Sequence, residues 1–218
     1  MAELTLDYWQ RAFSNLTLAF SAAKVELCQL DGAIGDGDHG ASMARGFDET
    51  ERALSFLTEV PDVATFFTTA GNAFLNKVGG VSGVVFGTVF LEAGKKAEGL
   101  TQIDAAALTV MLDSALQGVK RRGKVSEGDK SMIDALAPAV AALKQTSEKG
   151  ADWQEMLSAL SEAARRGSEA TKEMAAKVGR GRYQKEKGVG HIDAGSASIA
   201  IFFRTLAESG RSIQTAES

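Results

Sequence analysis

The chain has 218 residues, and 24 Lys and Arg against 28 Asp and Glu give a formal net charge of −4, which by itself favours no class of partner. Average usage predicts roughly 15 Gly and roughly 11 Pro in a chain of this length, whereas the sequence has 23 and 2. This composition excludes collagen-like and proline-rich disordered proteins. A hydrophobic fraction of 44% is typical of globular proteins, and we expect a single domain over residues 1–218.

Cysteine content and hydropathy restrict the compartment. Cys28 is the only cysteine, so it cannot form an internal disulfide and indicates a reducing environment, in which it packs as a small apolar side chain. The most apolar stretch, residues 81–93, includes Glu92 and is shorter than the roughly 20 residues that cross a bilayer. Residues 1–7 lack the basic start of a secretory signal. We therefore predict a cytoplasmic protein without a membrane segment.

Apolar residues recur every three or four positions in most segments, which predicts an all-α fold. The spacing predicts a first helix over Leu6–Phe20, a shorter one through Val25–Leu30, and a long one over Met43–Leu54. Pro61 and Asp62 are suited to the start of the next helix, which continues to Val78.

The second half of the chain continues the pattern. Residues 82–97 are apolar nearly all round, so we expect this helix at the centre of the bundle. Thr101 with Asp104, and Asp152 with Glu155, are spaced as helix N-caps. Three further helices run through residues 132–140, 156–163 and 199–206, and Pro138 should kink the first of them. The total is about eight helices.

Four glycine-rich segments, residues 32–46, 79–87, 118–128 and 179–195, interrupt the helices, and we expect the chemistry there. Asp31, directly before the first segment, and Asp36 and Asp38 within it lie within eight residues. Like charges this close repel, and a bound Mg²⁺ would relieve the repulsion. A solvated acidic turn is the alternative. The literal G-x-G-x-x-G over residues 35–40 is not a dinucleotide fingerprint, because a helix precedes it and carboxylates occupy it.

The other glycine-rich segments favour small phosphates. Residues 78–83 precede the apolar helix, where free amides and the Ser82 hydroxyl suit an anion. Residues 120–130 and 177–187 are basic, and solvated faces are their alternative. Nucleic acid is not expected, because the chain is net acidic and the basic runs contain no aromatic residue except Tyr183. Neither His39 nor His191 can be assigned as a general base, and no catalytic residue is predicted.

Five motifs occur in one order over residues 31–195. They are Asp31 with Ile34-Gly35-Asp36-Gly37-Asp38-His39-Gly40, Val78-Gly79-Gly80-Val81-Ser82-Gly83, Arg122-Gly123-Lys124, Gly128-Asp129-Lys130-Ser131-Met132, and Gly190-His191-Ile192-Asp193-Ala194-Gly195. Together they resemble the dihydroxyacetone kinase L subunit. The resemblance implies an antiparallel all-α barrel of eight helices, with ADP or ATP and two Mg²⁺ held by loops at one end.

The resemblance also implies roles for single residues. Asp31, Asp36 and Asp38 would ligate the two Mg²⁺. The nucleotide-binding residues would be His39, Gly40, Ala41, Ser42, Val81, Ser82, Gly123, Met132, Arg180, Asp193, Ala194 and Gly195. Ser42 stands where Asn is often found in this family, Ala194 stands where Pro is often found, and Arg182 is an alternative to Arg180.

In this family a separate K subunit, or a fused K domain, binds the ketose. The resemblance therefore implies a glycerone kinase that is active only with a K-type partner. The phosphoryl donor would be free ATP, or ADP recharged in place by a phosphocarrier M subunit, and a homodimer stays open. Two alternatives use the same loops: a nucleotide-loaded regulatory subunit that docks a transcription regulator, and a kinase for another small substrate, such as a fatty acid or a four-carbon sugar.

Overall fold

The computed structural model describes residues 3–184 and 186–214. Within these ranges the chain forms nine α-helices, two 3₁₀ turns and one two-stranded antiparallel sheet. The helices are α1 Leu6–Ala22, α2 Lys24–Ile34, α3 His39–Ser55, α4 Val63–Lys77, α5 Gly80–Lys95, α6 Ala105–Gly123, α7 Ile133–Glu148, α8 Trp153–Ala170 and α9 Ala194–Gln214. The strands are β1 Leu4–Thr5 and β2 Gln102–Ile103, and the 3₁₀ turns are Thr171–Glu173 and Gly181–Tyr183. The prediction of an all-α fold is confirmed.

The helices form a closed ring. From α3 to α9 each helix packs against the next along the chain, and α9 packs against α1 and α2. Only Ala23 separates α1 from α2, with a near-helical backbone at φ −81° and ψ −1°, and both helices contact α3 and α9. The two share one position, so the nine described helices occupy eight places in the ring. Successive connections therefore alternate between its two ends.

Aromatic side chains fill the centre of the ring. Phe20 stacks on Phe47 with ring centroids 4.3 Å apart, and Phe47 meets Phe86 and Phe90 edge to face. Helix α5 supplies two of these rings from a place between α4 and α6, so the prediction of a central helix is wrong. Its apolar sequence reflects contacts with both neighbours as well as the core. Within residues 3–184 and 186–214, no helix is long and apolar enough to span a membrane.

Several glycines predicted to form loops lie instead inside helices at close contacts. A Cβ atom on Gly40 would lie 2.0 Å from the Lys24 carbonyl oxygen, and one on Gly83 would lie 1.8 Å from that of Val78. Cβ atoms on Gly46 and Gly87 would lie 2.5 Å and 2.3 Å from neighbouring side chains. Much of the predicted loops 32–46 and 79–87 is therefore helical, because these glycines serve helix packing.

Side chains close the N-termini of the helices that begin at one end of the ring. Thr5 accepts a hydrogen bond from the Tyr8 amide, and Asp62, Asp104 and Asp152 cap α4, α6 and α8 in the same way. The predicted cap at Asp152 is confirmed. We call this end, with the connections 56–62, 96–104 and 149–152, the capped end.

The capped end also holds two features that the sequence analysis missed or misassigned. Thr101 does not cap α6 as predicted, because the chain first forms β2 and Asp104 takes the cap. Leu4 and Thr5 pair with Ile103 and Gln102. Strands of two residues are too short to show the alternation by which a strand is predicted.

Pro138 lies inside α7, as predicted. Because proline has no N–H, it cannot donate to the Asp134 carbonyl one turn earlier. Gly167 of α8 approaches that carbonyl so closely that a Cβ atom would lie 2.2 Å from its oxygen. This pair of residues lets α7 and α8 pack tightly.

Candidate functional site

The connections 35–38, 78–79, 124–132 and 171–193 meet at the opposite end of the ring, which we call the site end. Direct contacts join them: the Lys177 amide donates to the Asp129 carbonyl, and Arg180 pairs with Asp36. Gly181 lies against Ile34, because a Cβ atom there would be 3.9 Å from the Ile34 Cβ. The structure thus brings the predicted functional segments into one region.

The three aspartates predicted to bind metal form one cluster. Each of Asp31, Asp36 and Asp38 offers a carboxylate oxygen, and these oxygens lie within 4.8 Å of one another. Asp31 is in the last turn of α2, and its Oδ2 accepts hydrogen bonds from the amides of Asp38 at 3.0 Å and His39 at 3.3 Å. Gly37 makes the tight turn possible with a φ of +78°. The carboxylates converge because this short connection folds back on α2.

The cluster has the chemistry of a divalent-cation site. Its donors are carboxylate oxygens, which Mg²⁺ prefers, and Asp36 and Asp38 are exposed and accessible to an ion. The guanidinium of Arg180 lies against Asp36 and places a positive charge beside one of the candidate ligands. These residues therefore fit Mg²⁺, although their role as metal ligands stays a prediction.

His39 joins three helices at the centre of the site end. It is the first residue of α3, its Nδ1 lies 2.9 Å from the Ser82 hydroxyl of α5, and its Nε2 lies 2.7 Å from the Ser198 hydroxyl of α9. Burial lowers the pKa of His39, and the opposing effect of Asp31 and Asp38 is smaller. The imidazole is only 6% exposed, so it holds the three helix N-termini in place.

Most of the residues predicted to bind nucleotide occupy the first turns of these three helices. His39, Gly40, Ala41 and Ser42 begin α3, Val81 and Ser82 lie in the first turn of α5, and Ala194 and Gly195 begin α9. The N-cap residues of α3 and α5, Asp38 and Gly79, make no capping hydrogen bond with their side chains. Uncapped amides at a helix N-terminus are suited to an anion.

Asp193 caps the third of these helices from a half-buried position. Its Oδ2 accepts from the Ser196 amide at 2.7 Å, and its own amide donates to the Thr171 hydroxyl at 2.9 Å. Burial raises the pKa of Asp193 to about 6, and the hydrogen bond from Ser196 and the charge of Lys130 oppose this rise. Nearby, Met132 borders the first turn of α9, since a Cβ atom on Gly195 would lie 3.3 Å from the Met132 Cε.

The two remaining predicted residues lie at the edge of the site. Gly123 ends α6, and Arg180 reaches the cluster through Asp36. Arg182 instead stacks on Tyr183, with its Cζ 4.5 Å from the ring centroid. The structure therefore brings Arg180, and not Arg182, to the aspartates. Which of the two meets a nucleotide stays a prediction.

Ion pairs already engage part of the basic segments. Lys120 pairs with Glu127 at 2.8 Å, and Lys177 lies 3.5 Å from Asp129. The predicted attraction of these segments for phosphate therefore rests on fewer free cations than the sequence suggests.

Four buried polar residues of the site end were missed as functional candidates: Lys130, Asp134, Thr171 and Ser198. Lys130 belongs to the motif 128–132, in which only Met132 has a predicted role. A polar residue within a helical pattern, such as Ser198, gives no signal of burial in the sequence, because its partner His39 is 159 positions away.

Comparison with known proteins confirms the resemblance seen in the motifs. The sequence profile of the DAK2 domain matches residues 33–208. The ADP-binding subunit DhaL of PEP-dependent dihydroxyacetone kinase 1 from Listeria innocua is 39% identical over 200 residues, which cover 92% of this chain and 90% of that subunit. D-Erythrulose kinase from Mycolicibacterium smegmatis is 33% identical over 91% of this chain, and the match covers 34% of that kinase.

Solved structures include the same fold. The dihydroxyacetone kinase of Citrobacter freundii in complex with AMP-PNP and Mg²⁺ superimposes with a TM-score of 0.73 and 28% identity. The match covers 96% of this chain and 35% of that kinase, so the chain spans about a third of the longer protein.

Proposed function

Because this chain belongs to the DAK2-domain family, among the DhaL subunits of dihydroxyacetone kinases, we propose that it is the nucleotide- and magnesium-binding subunit of a kinase that phosphorylates dihydroxyacetone. One observation carries the proposal. Three carboxylates, Asp31, Asp36 and Asp38, converge within 4.8 Å beside the helix N-termini that His39 joins. A metal–phosphate ligand needs both a site for cations and a site for anions.

The proposed nucleotide lies across the first turns of α3, α5 and α9. Amides of Gly40, Ala41 and Ser82 donate to its phosphates, and Met132 lines the adenine pocket beside Gly195. Gly123 and Asp193 complete the walls of the site. The neighbouring kinase structure contains AMP-PNP and Mg²⁺, which supports this choice of ligand.

The proposed metal ligands are Asp31, Asp36 and Asp38, which would hold two Mg²⁺. Bound Mg²⁺ neutralises the charge of the phosphate oxygens during transfer. Arg180 pairs with Asp36 in the chain without ligand, and it would add a positive charge beside phosphates held at the cluster. We assign no general base to this chain, because positioning and charge are sufficient for phosphoryl transfer.

The acceptor sugar is proposed to come on a K subunit. The match covers nearly the whole of the Listeria innocua subunit but a third of the Citrobacter freundii kinase. The rest of the longer kinase is therefore large enough to contain a K domain in the same chain. Two exposed apolar side chains at the site end, Val81 at 71% and Tyr183 at 76% exposure, are suited to contact such a partner. We propose that the assembly works in the cytoplasm.

The phosphoryl donor is proposed to be a phosphocarrier M subunit that recharges bound ADP. The name of the Listeria innocua relative, a PEP-dependent ADP-binding subunit, supports this donor over free ATP. D-Erythrulose is a second candidate substrate, because a D-erythrulose kinase is 33% identical over most of this chain.

One reconstitution tests the proposal. The purified chain is first analysed for bound nucleotide and then mixed with Mg²⁺, a K subunit and either dihydroxyacetone or D-erythrulose. ATP is the donor in one series, and PEP with a phosphocarrier is the donor in the other. We expect co-purified ADP and dihydroxyacetone phosphate in the PEP series. Failure to form a sugar phosphate with either donor would overturn the proposal, and recovery of a transcription regulator as the only partner would favour a regulatory subunit.

A further inference from the structure

Lys130 is a buried lysine that no part of the proposed chemistry uses. Its side chain is 2% exposed, and its Nζ donates hydrogen bonds to the backbone carbonyls of Thr171 and His191. Burial lowers the pKa of Lys130, while Asp193, Asp134 and Glu173 favour its charged form. A buried ammonium is costly unless its donors are satisfied, so these carbonyls are held firmly in place.

The two carbonyls stand on either side of the neck of one long loop. The loop 172–190, of which the structure describes residues 172–184 and 186–190, leaves the ring after Thr171 and returns at His191. The Gly190 amide donates to the Lys172 carbonyl at 2.8 Å. The neck is also closed by the hydrogen bond between the Asp193 amide and the Thr171 hydroxyl. Lys130, which lies in the neighbouring connection 124–132, thus contacts both backbone segments that form the neck.

The backbone around Lys130 is built to direct its side chain inward. Lys130 has a φ of +59°, a left-handed conformation that costs a non-glycine residue roughly 1 kcal/mol or more. The Asp134 carboxylate accepts hydrogen bonds from the amides of Gly128 and Ser131 on either side. These bonds stabilise the turn and offset its strain.

The returning part of the loop packs directly on the lysine stem. A Cβ atom on Gly188 would lie 3.2 Å from the Lys130 Cε and 3.0 Å from the Ile34 Cγ2. Gly188 itself has a φ of +72°. The loop therefore sits against Lys130 and α2 with no room for a larger residue.

We propose that Lys130 is a positioning residue, which holds the loop 172–190 closed over the site end and thereby places Arg180 and Asp193 for the nucleotide. The role at the nucleotide rests on the proposed function. The closure of the loop does not, because it is a property of the chain without ligand.

Lys130→Met tests this role, since methionine keeps the apolar stem and removes the donors. Lys172→Met is the matched control, because Lys172 is an exposed lysine at the same neck. In hydrogen exchange of the nucleotide-free chain, we expect the amides of Lys177, Gly190 and Asp193 to exchange at least about tenfold faster in Lys130→Met, as two charged hydrogen bonds are lost. Amides of α1 and α5 should keep their protection, and the control should match wild type.

Nucleotide binding separates positioning from stability. We expect the Kd for Mg·ADP to rise at least about tenfold in Lys130→Met, while the KM for the ketose in the reconstituted kinase is unchanged. A role in stability alone would lower the folded fraction and the apparent kcat but leave the Kd of the folded molecules at its wild-type value. That result, or unchanged exchange of the loop in folded Lys130→Met, would overturn the proposal.

Gly188→Ala keeps the proposal testable if Lys130→Met does not fold. The added methyl displaces the loop from Lys130 without changing any charge, and we expect the same faster exchange at Lys177 and Gly190. Wild-type protection in folded Gly188→Ala would contradict the proposal. If no variant binds nucleotide and wild type does not either, the proposed function fails while the exchange data still decide whether Lys130 closes the loop.

Discussion

The two ends of the ring differ in how they satisfy the first-turn amides of their helices. At the capped end, the side chains of Thr5, Asp62, Asp104 and Asp152 accept hydrogen bonds from the first-turn amides of their helices. At the site end, Asp193 caps α9, whereas the N-cap residues of α3, α5 and α7 make no such bond. The first amides of α3 and α7, those of His39 and Ile133, donate instead to the side chains of Asp31 and Ser131. An uncapped N-terminus costs about 1 kcal/mol of stability. We therefore expect the uncapped amides of α5 to serve the proposed ligand at some cost in helix stability.

The two ends also differ in how many residues adopt a left-handed backbone conformation. Among the described residues, left-handed φ values at the capped end occur at Gly99 and Gly150. At the site end they occur at six glycines and at Lys124, Lys130 and Lys187. Glycine adopts this conformation without strain, whereas the three lysines are strained by it, and backbone strain clusters at functional sites.

The largest expected effect comes from the carboxylate cluster. Asp38→Asn should lower the affinity for Mg·ADP by about 1,000-fold. Two opposite unit charges about 4 Å apart attract each other by about 4 kcal/mol at an effective dielectric constant of 20, and the variant loses this attraction between the carboxylate and the metal ion. Asp104→Asn, at the capped end, is the control, since Asn also caps helices. Calorimetric titration measures both. Tight binding by folded Asp38→Asn would contradict the placement of the metal site at this end of the ring.

Two capping aspartates should respond to pH in opposite directions. Hydrogen bonds from Gly99 and Thr65 lower the pKa of Asp62, so its contribution to stability is lost as pH falls through that lowered value. Burial raises the pKa of Asp193 from 3.8 to about 6. The folded state therefore keeps a proton that the unfolded state releases, and stability falls by about 3 kcal/mol as pH rises from 4 to above 6.

Asp193→Asn should remove this second dependence. In denaturant unfolding of the nucleotide-free chain, we expect the variant to match wild type near pH 4 and to exceed it by about 3 kcal/mol at pH 7.5. A difference between the two proteins that does not change with pH would contradict the assignment to Asp193.

A side chain that caps the N-terminus of α5 should stabilise the folded protein and weaken nucleotide binding. Gly79 has an extended backbone at φ −74° and open space around a would-be Cβ, so Gly79→Asp can cap the helix. We expect a gain of roughly 0.5 kcal/mol in stability and a roughly tenfold weaker Mg·ADP affinity, because the carboxylate occupies the amides and repels phosphate. Gly79→Ala, which adds the Cβ without the charge, should bind as wild type does. Equal affinities for both variants would show that the amides of α5 do not meet phosphate.

The smallest effect belongs to the capped end. Asp62→Ala removes the acceptor for Thr65 and Gly99 and should cost about 1 kcal/mol in the free energy of unfolding. Nucleotide affinity, measured on the same preparation, should stay at its wild-type value. A loss of affinity would show that the two ends are coupled.

The sequence predicts this fold well because helical periodicity records burial directly. The spacing of Leu6, Phe13 and Phe20 locates α1, and Asp62 locates the start of α4. The strands β1 and β2 escape detection because pairing across 97 and 99 positions leaves no local pattern. Thr101 was misassigned because Asp104 meets the same capping rule three residues later.

The sequence predicts which residues form the site but not the contacts that hold them in place. The aspartates and the first turns of α3, α5 and α9 stand out as motifs. Their common support by His39 depends on Ser198, and the closure of the long loop depends on Lys130, whose carbonyl partners lie 41 and 61 positions away. Contacts between distant segments with ordinary residue types cannot be inferred from one sequence.

The His39 contacts have a consequence for the order of folding. Their hydroxyl partners lie 43 and 159 positions along the chain, and the second belongs to the last helix. The imidazole is therefore satisfied only after α9 has docked and the ring has closed. A nascent chain therefore completes this arrangement only after α9 has emerged from the ribosome. Ligand binding can then stabilise only the finished ring, since no earlier fragment contains all three helix N-termini.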